Sequence, residues 1–152
     1  MNVRTYQRAD WPAIERIHDS ARKMELSHAG LHEAFLPLCI AAAREQLFDY
    51  PGLFVAEENG EVLGFAACTE EELAWLYVAP EHMRKGVGSS LWRHMISVFP
   101  QICVLEVLKG NEPARAFYER LGFRVSGQET GQMPGNEAYT VEVYVMRRTL
   151  NE

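Results

Sequence analysis

Arg84-Lys85-Gly86-Val87-Gly88-Ser89-Ser90 follows a strand-like run, Leu76-Tyr77-Val78-Ala79-Pro80, and opens an amphipathic helix. Residues of these types in this order build an anion cradle. Glycine carries no Cβ, so the backbone can turn sharply at Gly86 and approach a ligand closely at Gly88. The first amides of a helix lack intrahelical acceptors, and together with the positive helix end they suit phosphate oxygens. Arg84, which can grip a phosphate through two nitrogens, and Lys85 add positive charge. A phosphorylated ligand is the first expectation. No stretch supplies the spacing of a Walker A loop. A dinucleotide fingerprint needs a third glycine where Leu91 stands and a tight turn where residues 79–85 make a seven-residue bridge. Glu106, 20 residues beyond Gly86, nevertheless imitates the acid that binds ribose in such folds. An ordinary strand-loop-helix connection uses the same residue types, so the loop alone leaves these readings open.

A second stretch narrows them: Asn111-Glu112-Pro113-Ala114-Arg115-Ala116-Phe117-Tyr118-Glu119-Arg120-Leu121-Gly122-Phe123. With the first, it resembles the GNAT superfamily of acyl-CoA-dependent N-acyltransferases. Arg84, Lys85, Gly86 and Gly88 match the family's motif A, with Met83 where the family usually has Gln or Arg. Asn111, Ala114, Phe117, Tyr118, Gly122 and Phe123 match motif B. The resemblance implies an α/β (α+β) fold with a mixed, mostly antiparallel sheet of about seven strands, splayed between the fourth and fifth and flanked by about four helices. It implies acetyl-CoA as co-substrate, direct transfer to a primary amine, and no metal. The backbone of Leu76, Tyr77 and Val78 would line the acetyl and pantetheine arm, and Arg84, Lys85, Gly86, Val87, Gly88, Ser89 and Ser90 would hold the pyrophosphate. Asn111 would touch the arm from the opposite wall, although a helix cap before Pro113 is the alternative. Two other classes stand beside the enzyme: a non-catalytic acyl-CoA-binding regulator on the same fold, and a nucleotide-binding oxidoreductase.

Acyl transfer needs a neutral amine, a donor to the developing oxyanion and a proton for the departing thiolate. By resemblance a backbone amide near Val78 serves the oxyanion and Tyr118 is the general acid, its phenol remaining protonated at neutral pH. Glu72, fourteen residues before Gly86, resembles in placement the general base of histone acetyltransferases, though Glu70-Glu71-Glu72 also reads as a solvated turn. Glu106 interrupts an apolar strand and is a further candidate. His28, His32 and His82 lie in polar surroundings without a visible partner. In the family the acceptor pocket falls on the first two helices and the last connecting loop, here residues 24–35 and 130–139. Glu25, His28, His32, Glu33 and Glu70 to Glu72 would favour a cationic amine on a small molecule, a protein lysine or an N-terminus.

These groups are carried by a short strand at 3–6, a helix capped by Asp10 with Ile14, Ile17 and Ala21 inward, and a second helix over 33–48 broken near Pro37. Strands over 53–56 and 62–68 flank Asn59-Gly60, a strong hairpin signal. A strand over 72–78 leads to the cradle and to a helix from Gly88 with Leu91, Met95 and Val98 on one face. A strand over 102–107, a helix over 113–121 closed by Gly122, and strands over 124–129 and 138–147 joined by a loop complete one alternating layer. The 152 residues, 47% hydrophobic, fit one domain. Residues 1–10 have no signal-peptide core, and the longest apolar run, near 36–43, is too short to span a bilayer. Cys39, Cys68 and Cys103 read as small buried residues with neither disulfide nor metal spacing, which suits a reduced cytoplasm. A net charge of −6 disfavours nucleic acid and leans toward cationic ligands. Homodimers are common in the family.

Overall fold

A computed structural model describes residues 1–150. The chain order is β1 (Asn2–Thr5), α1 (Trp11–His28), α2 (Leu38–Arg44), β2 (Gly52–Glu58), β3 (Glu61–Cys68), β4 (Leu73–Val78), α3 (Val87–Val98), β5 (Val104–Leu108), α4 (Glu112–Arg120), β6 (Arg124–Met133) and β7 (Asn136–Arg147). The strands form two antiparallel sheets, ordered β1-β2-β3-β4 and β5-β7-β6. A single parallel bridge, Glu72 to Val104, joins them. There the amides of Cys103 and Val104 share the Glu71 carbonyl at 2.8 and 3.2 Å, after which β4 and β5 diverge. The splay falls between the fourth and fifth strands, as the family resemblance implies. The antiparallel order rules out a dinucleotide fold, whose sheet is parallel and doubly wound.

Side-chain alternation on β2 explains the layering. Leu53 and Val55 face Ile14, Ile17 and Leu38 of α1 and α2, while Phe54 and Ala56 face Leu91, Trp92 and Met95 of α3. Helices therefore cover both faces of the first sheet. A third cluster of Leu26, Ala34, Met133 and Val141 lies beneath the tip of the β6–β7 hairpin. Asn59 and Gly60 both adopt left-handed backbone, with φ of 53° and 79°, as a two-residue hairpin turn requires.

Several expectations need correction. The predicted 33–48 helix is a one-turn 3₁₀ segment at His32–Ala34, the seven-residue α2 and a second 3₁₀ turn at Leu47–Asp49. Pro37 stays extended and starts α2, because its ring would clash within a continuous helix. Val98 is 49% exposed; the inward row of α3 is Val87, Leu91 and Met95, with Trp92 beside it. Cys39 is exposed, since α2 buries Leu38, Ala41 and Ala42, whereas Cys68 is buried and Cys103 half-buried. The expected loop at 130–137 is mostly strand: β6 and β7 pair until Met133 meets Asn136, leaving only Pro134 and Gly135 in the turn.

Candidate active site

α3 begins at Val87, with Gly86 as its N-cap at φ 83°, a left-handed conformation that favours glycine. The first bond into the helix runs from the Ser90 amide to the Gly86 carbonyl at 3.0 Å, leaving the amides of Val87, Gly88 and Ser89 aimed outward from the helix end. A Cβ on Gly86 would meet nothing within 4 Å, so this side of the cradle is open. Gly88 has a packing purpose beside the one its motif position predicts. A Cβ there would lie 2.9 Å from Phe117 Cζ, so the glycine lets α3 pack against α4. Arg84 and Lys85 are exposed on the loop, and Arg84 also has left-handed backbone, φ 64°. The Val87 side chain is buried in the core, so only its backbone can reach a ligand.

The register of β4 decides which backbone groups reach the cleft. The Ala79 amide donates to the Leu63 carbonyl at 2.9 Å, and Phe65↔Tyr77 and Ala67↔Trp75 continue that register. Bonded pairs recur at every second residue of an antiparallel ladder. The N–H and C=O groups of Leu76 and Val78 therefore point away from β3 into the cleft, and those of Tyr77 point toward β3. Asn111 caps α4: its Oδ1 accepts the Ala114 amide at 3.4 Å and the residue is 6% exposed. This is the capping alternative of the sequence reading. Tyr118 is 9% exposed and lines the narrow part of the cleft with Leu76, Tyr77 and Leu105. Burial, and secondarily the Glu25 charge, raises its pKa well above the ordinary phenol value.

Beyond this narrow part lies a cavity of about 480 Å³ between α1, β4 and the β6–β7 hairpin. Glu25, Leu73, Ala74, Tyr77 and Glu106 line both spaces, so the cleft and the cavity meet there. Glu72 is half-buried on the cavity wall, its pKa raised by burial and then by Glu106. Glu106 is exposed at the junction. Of the predicted pocket residues, Glu25, Ala34, residues 130–134 and Asn136 line the cavity, but exposed His28, His32 and Glu33 do not. His82 instead lies 3.4 Å from Glu61.

Sequence reasoning missed His18, Arg22, Glu45 and Glu129, all on the cavity wall. A signal existed for His18 and Glu25, which stand four residues after Ile14 and Ala21 in the inward stripe of α1. Polar residues in such a stripe imply a space on its buried side. Arg22 pairs with Glu25, whose Oε1 also accepts the Tyr77 hydroxyl at 3.2 Å. Glu45 is pushed up to about 7, chiefly by burial. Five carboxylates (Glu25, Glu45, Glu72, Glu106 and Glu129) thus share the wall with one arginine.

A splayed sheet, an amide cradle on one side of the cleft and a polar cavity beyond it define a coenzyme A-dependent acyltransferase fold. The chain belongs to the acetyltransferase (GNAT) family, whose model matches residues 11–123. Peptidyl-lysine N-acetyltransferase YiaC of Escherichia coli (strain K12) is 30% identical over 136 residues, 87% of this chain and 91% of that protein. A GCN5-related N-acetyltransferase from Rhodopseudomonas palustris superimposes with a TM-score of 0.75 at 19% identity, covering 98% of this chain and 95% of that one. The yncA structure from Salmonella typhimurium, solved with its cofactor acetyl-CoA, gives 0.66 at 24% identity and covers 99% of this chain and 94% of that one. The two structures share the fold. The chain is accordingly an N-acetyltransferase.

Proposed function

We propose that the chain works as one acetyl-CoA-dependent domain that acetylates a primary amine on a cationic acceptor, either a lysine side chain or a small polyamine. The observation that carries this reading is the meeting of cleft and cavity at Glu25, Leu73, Ala74, Tyr77 and Glu106. It lets a thioester arriving from the cradle meet an amine arriving from the carboxylate-lined side. The amides of Val87, Gly88 and Ser89, with Arg84 and Lys85, take the pyrophosphate. The backbone of Leu76 and Val78 takes the pantetheine arm. Asn111, besides capping α4, borders that arm.

As the amine adds to the thioester carbonyl, the Val78 N–H donates to the oxygen that becomes anionic. When the carbon–sulfur bond breaks, Tyr118 gives its proton to the thiolate. The burial that keeps Tyr118 protonated also raises the basicity of a thiolate expelled into the same cleft, so the two stay matched. Glu72, acting through water, is the sequence reading's candidate for the base that takes the ammonium proton. The acidic wall attracts acceptors with more than one positive charge, and lysine peptides are a natural choice given the peptidyl-lysine relative. The reduced-cysteine pattern and the use of coenzyme A go with a cytoplasmic location.

A thermal-shift titration with acetyl-CoA, coenzyme A and NAD, followed by thiol release with a lysine peptide and spermidine, tests the proposal. At 100 times its dissociation constant the preferred nucleotide stabilises by about 2.7 kcal/mol. Acetyl-CoA stabilisation with amine-dependent thiol release is expected. Stabilisation by acetyl-CoA without turnover would favour the regulator reading, and a response to NAD alone would overturn the site.

A further inference from the structure

His18 is 2% exposed on the inward side of α1. Its ring meets Tyr77 edge-on at 5.1 Å between centroids and lies 5.7 Å from Trp75. Nδ1 is 2.9 Å from Asp19 Oδ1, and the same oxygen accepts the Leu38 amide at 2.9 Å where α2 begins. Two donors on one oxygen fix the carboxylate between two helices. A carboxylate only accepts, so Nδ1 carries the hydrogen and the neutral ring has its lone pair on Nε2. No buried side-chain nitrogen or oxygen among the described residues lacks a partner. Nε2, which bonds to nothing in the protein, is therefore not sealed in, and His18 lines the 480 Å³ cavity. Tyr77, against which the ring rests, lines both the cavity and the cleft.

We propose that His18 is the proton acceptor for the amine substrate and that Asp19 is its positioning residue. The inference rests on the acetyl-transfer reading of the cavity and replaces Glu72 in the base role. The acceptor ammonium gives one proton to Nε2, forming an imidazolium whose Nδ1 hydrogen stays on Asp19. The freed nitrogen pair attacks the thioester carbonyl carbon. The carbon–sulfur bond breaks with its electron pair on sulfur, which takes the Tyr118 proton, and the second nitrogen proton returns to Tyr118 through water. His18 releases its proton to solvent, so one ammonium and one thioester yield one amide, one thiol and one proton.

The titratable and charged groups acting on His18 are Asp19, Arg22 and Glu25 on α1, with Tyr77 of β4 against the ring; Lys23 Nζ lies 4.8 Å from the centre of the Phe35 ring that flanks the imidazole. Burial lowers the His18 pKa and Arg22 lowers it further, while Asp19 and Glu25 oppose that shift. The neutral base is thus available at pH 7.

Imidazole nitrogen NMR reads the tautomer without an acceptor. A signal lost in His18→Gln, with hydrogen on Nδ1 and a midpoint below about 6.5, is expected; hydrogen on Nε2 overturns the proposal. With spermidine and a lysine peptide as probes, kcat/KM should show an acid limb at that midpoint. His18→Gln should remove the limb and lower kcat by about 10²–10⁴-fold. Asp19→Asn keeps an oxygen for both donors but removes the charge, so it should move the limb to lower pH while leaving acetyl-CoA stabilisation intact. Glu72→Gln should leave the limb in place. A limb that follows Glu72 and ignores both His18 and Asp19 overturns the proposal. Absence of acetyl-CoA stabilisation in the unaltered protein would instead sink the functional reading on which it rests.

Discussion

Tyr118 and Glu45 show burial acting on two titratable groups with opposite consequences. In Tyr118 it keeps the phenol protonated across the working pH range, as the proposed acid role requires. Tyr118→Phe should retain acetyl-CoA stabilisation and lower kcat by about 10²–10⁴-fold, and unchanged turnover would end the assignment. In Glu45, burial raises the folded-state pKa from 4.5 to about 7, so the folded chain holds this proton more tightly than the unfolded chain. Stability is lost as pH rises from the unfolded value through the folded one. Glu45→Gln should therefore stabilise the protein above pH 7, on the order of 1 kcal/mol after allowance for partial solvation, and do little near pH 5, as read by urea denaturation. Tyr118 was legible because its neighbours Phe117 and Gly122 identify the motif. Glu45 was not, because its environment depends on the hairpin tip: a Cβ on Gly135 would lie 3.1 Å from Glu45 Cγ.

At the scale of elements, α3 and α4 hold the cleft through one close approach. Gly88→Ala would drive a methyl against Phe117, costing about 1–3 kcal/mol and displacing the free amides of α3. Weaker acetyl-CoA stabilisation is expected, with partial recovery in Gly88→Ala combined with Phe117→Leu, measured by the same thermal titration. Full retention of binding by Gly88→Ala would show that the contact does not position the cradle. Sequence patterning predicted α1, the Asn59-Gly60 hairpin and the strands on either side of the cleft, where apolar periodicity and turn chemistry agree, while the splay between those strands came from the family resemblance. Patterning found only the first part of β6, 124–129, and missed the rest, whose residues are exposed almost throughout and so carry no alternation. That strand is held by backbone pairing with β7, while nearby the Asn136 amide donates to the Ala34 carbonyl at 2.9 Å and the Tyr139 hydroxyl to the Glu33 carbonyl at 3.1 Å. Only distant parts of the chain supply those partners. α2 was overextended because apolar residues run on both sides of Pro37, whereas the ring keeps a single helix from passing through it and α2 starts only at Leu38.

For the whole molecule, the two sheets touch through one bridge and then part, so β4 and β5 are strand edges turned inward. An unpaired edge normally invites another chain to dock on it. Here the two edges shelter one another, and the pantetheine arm, with its own amides, is suited to act as the missing strand. The acyl donor would then complete the sheet as well as supply the acetyl group. Hydrogen exchange makes this visible residue by residue: acetyl-CoA should slow the amides of Leu76 and Val78 while leaving Trp75 and Tyr77, already bonded to β3, unchanged. Starved of coenzyme A, the protein would keep two uncommitted edges facing each other across the cleft, so the supply of its co-substrate would also govern how firmly its two sheets are tied together.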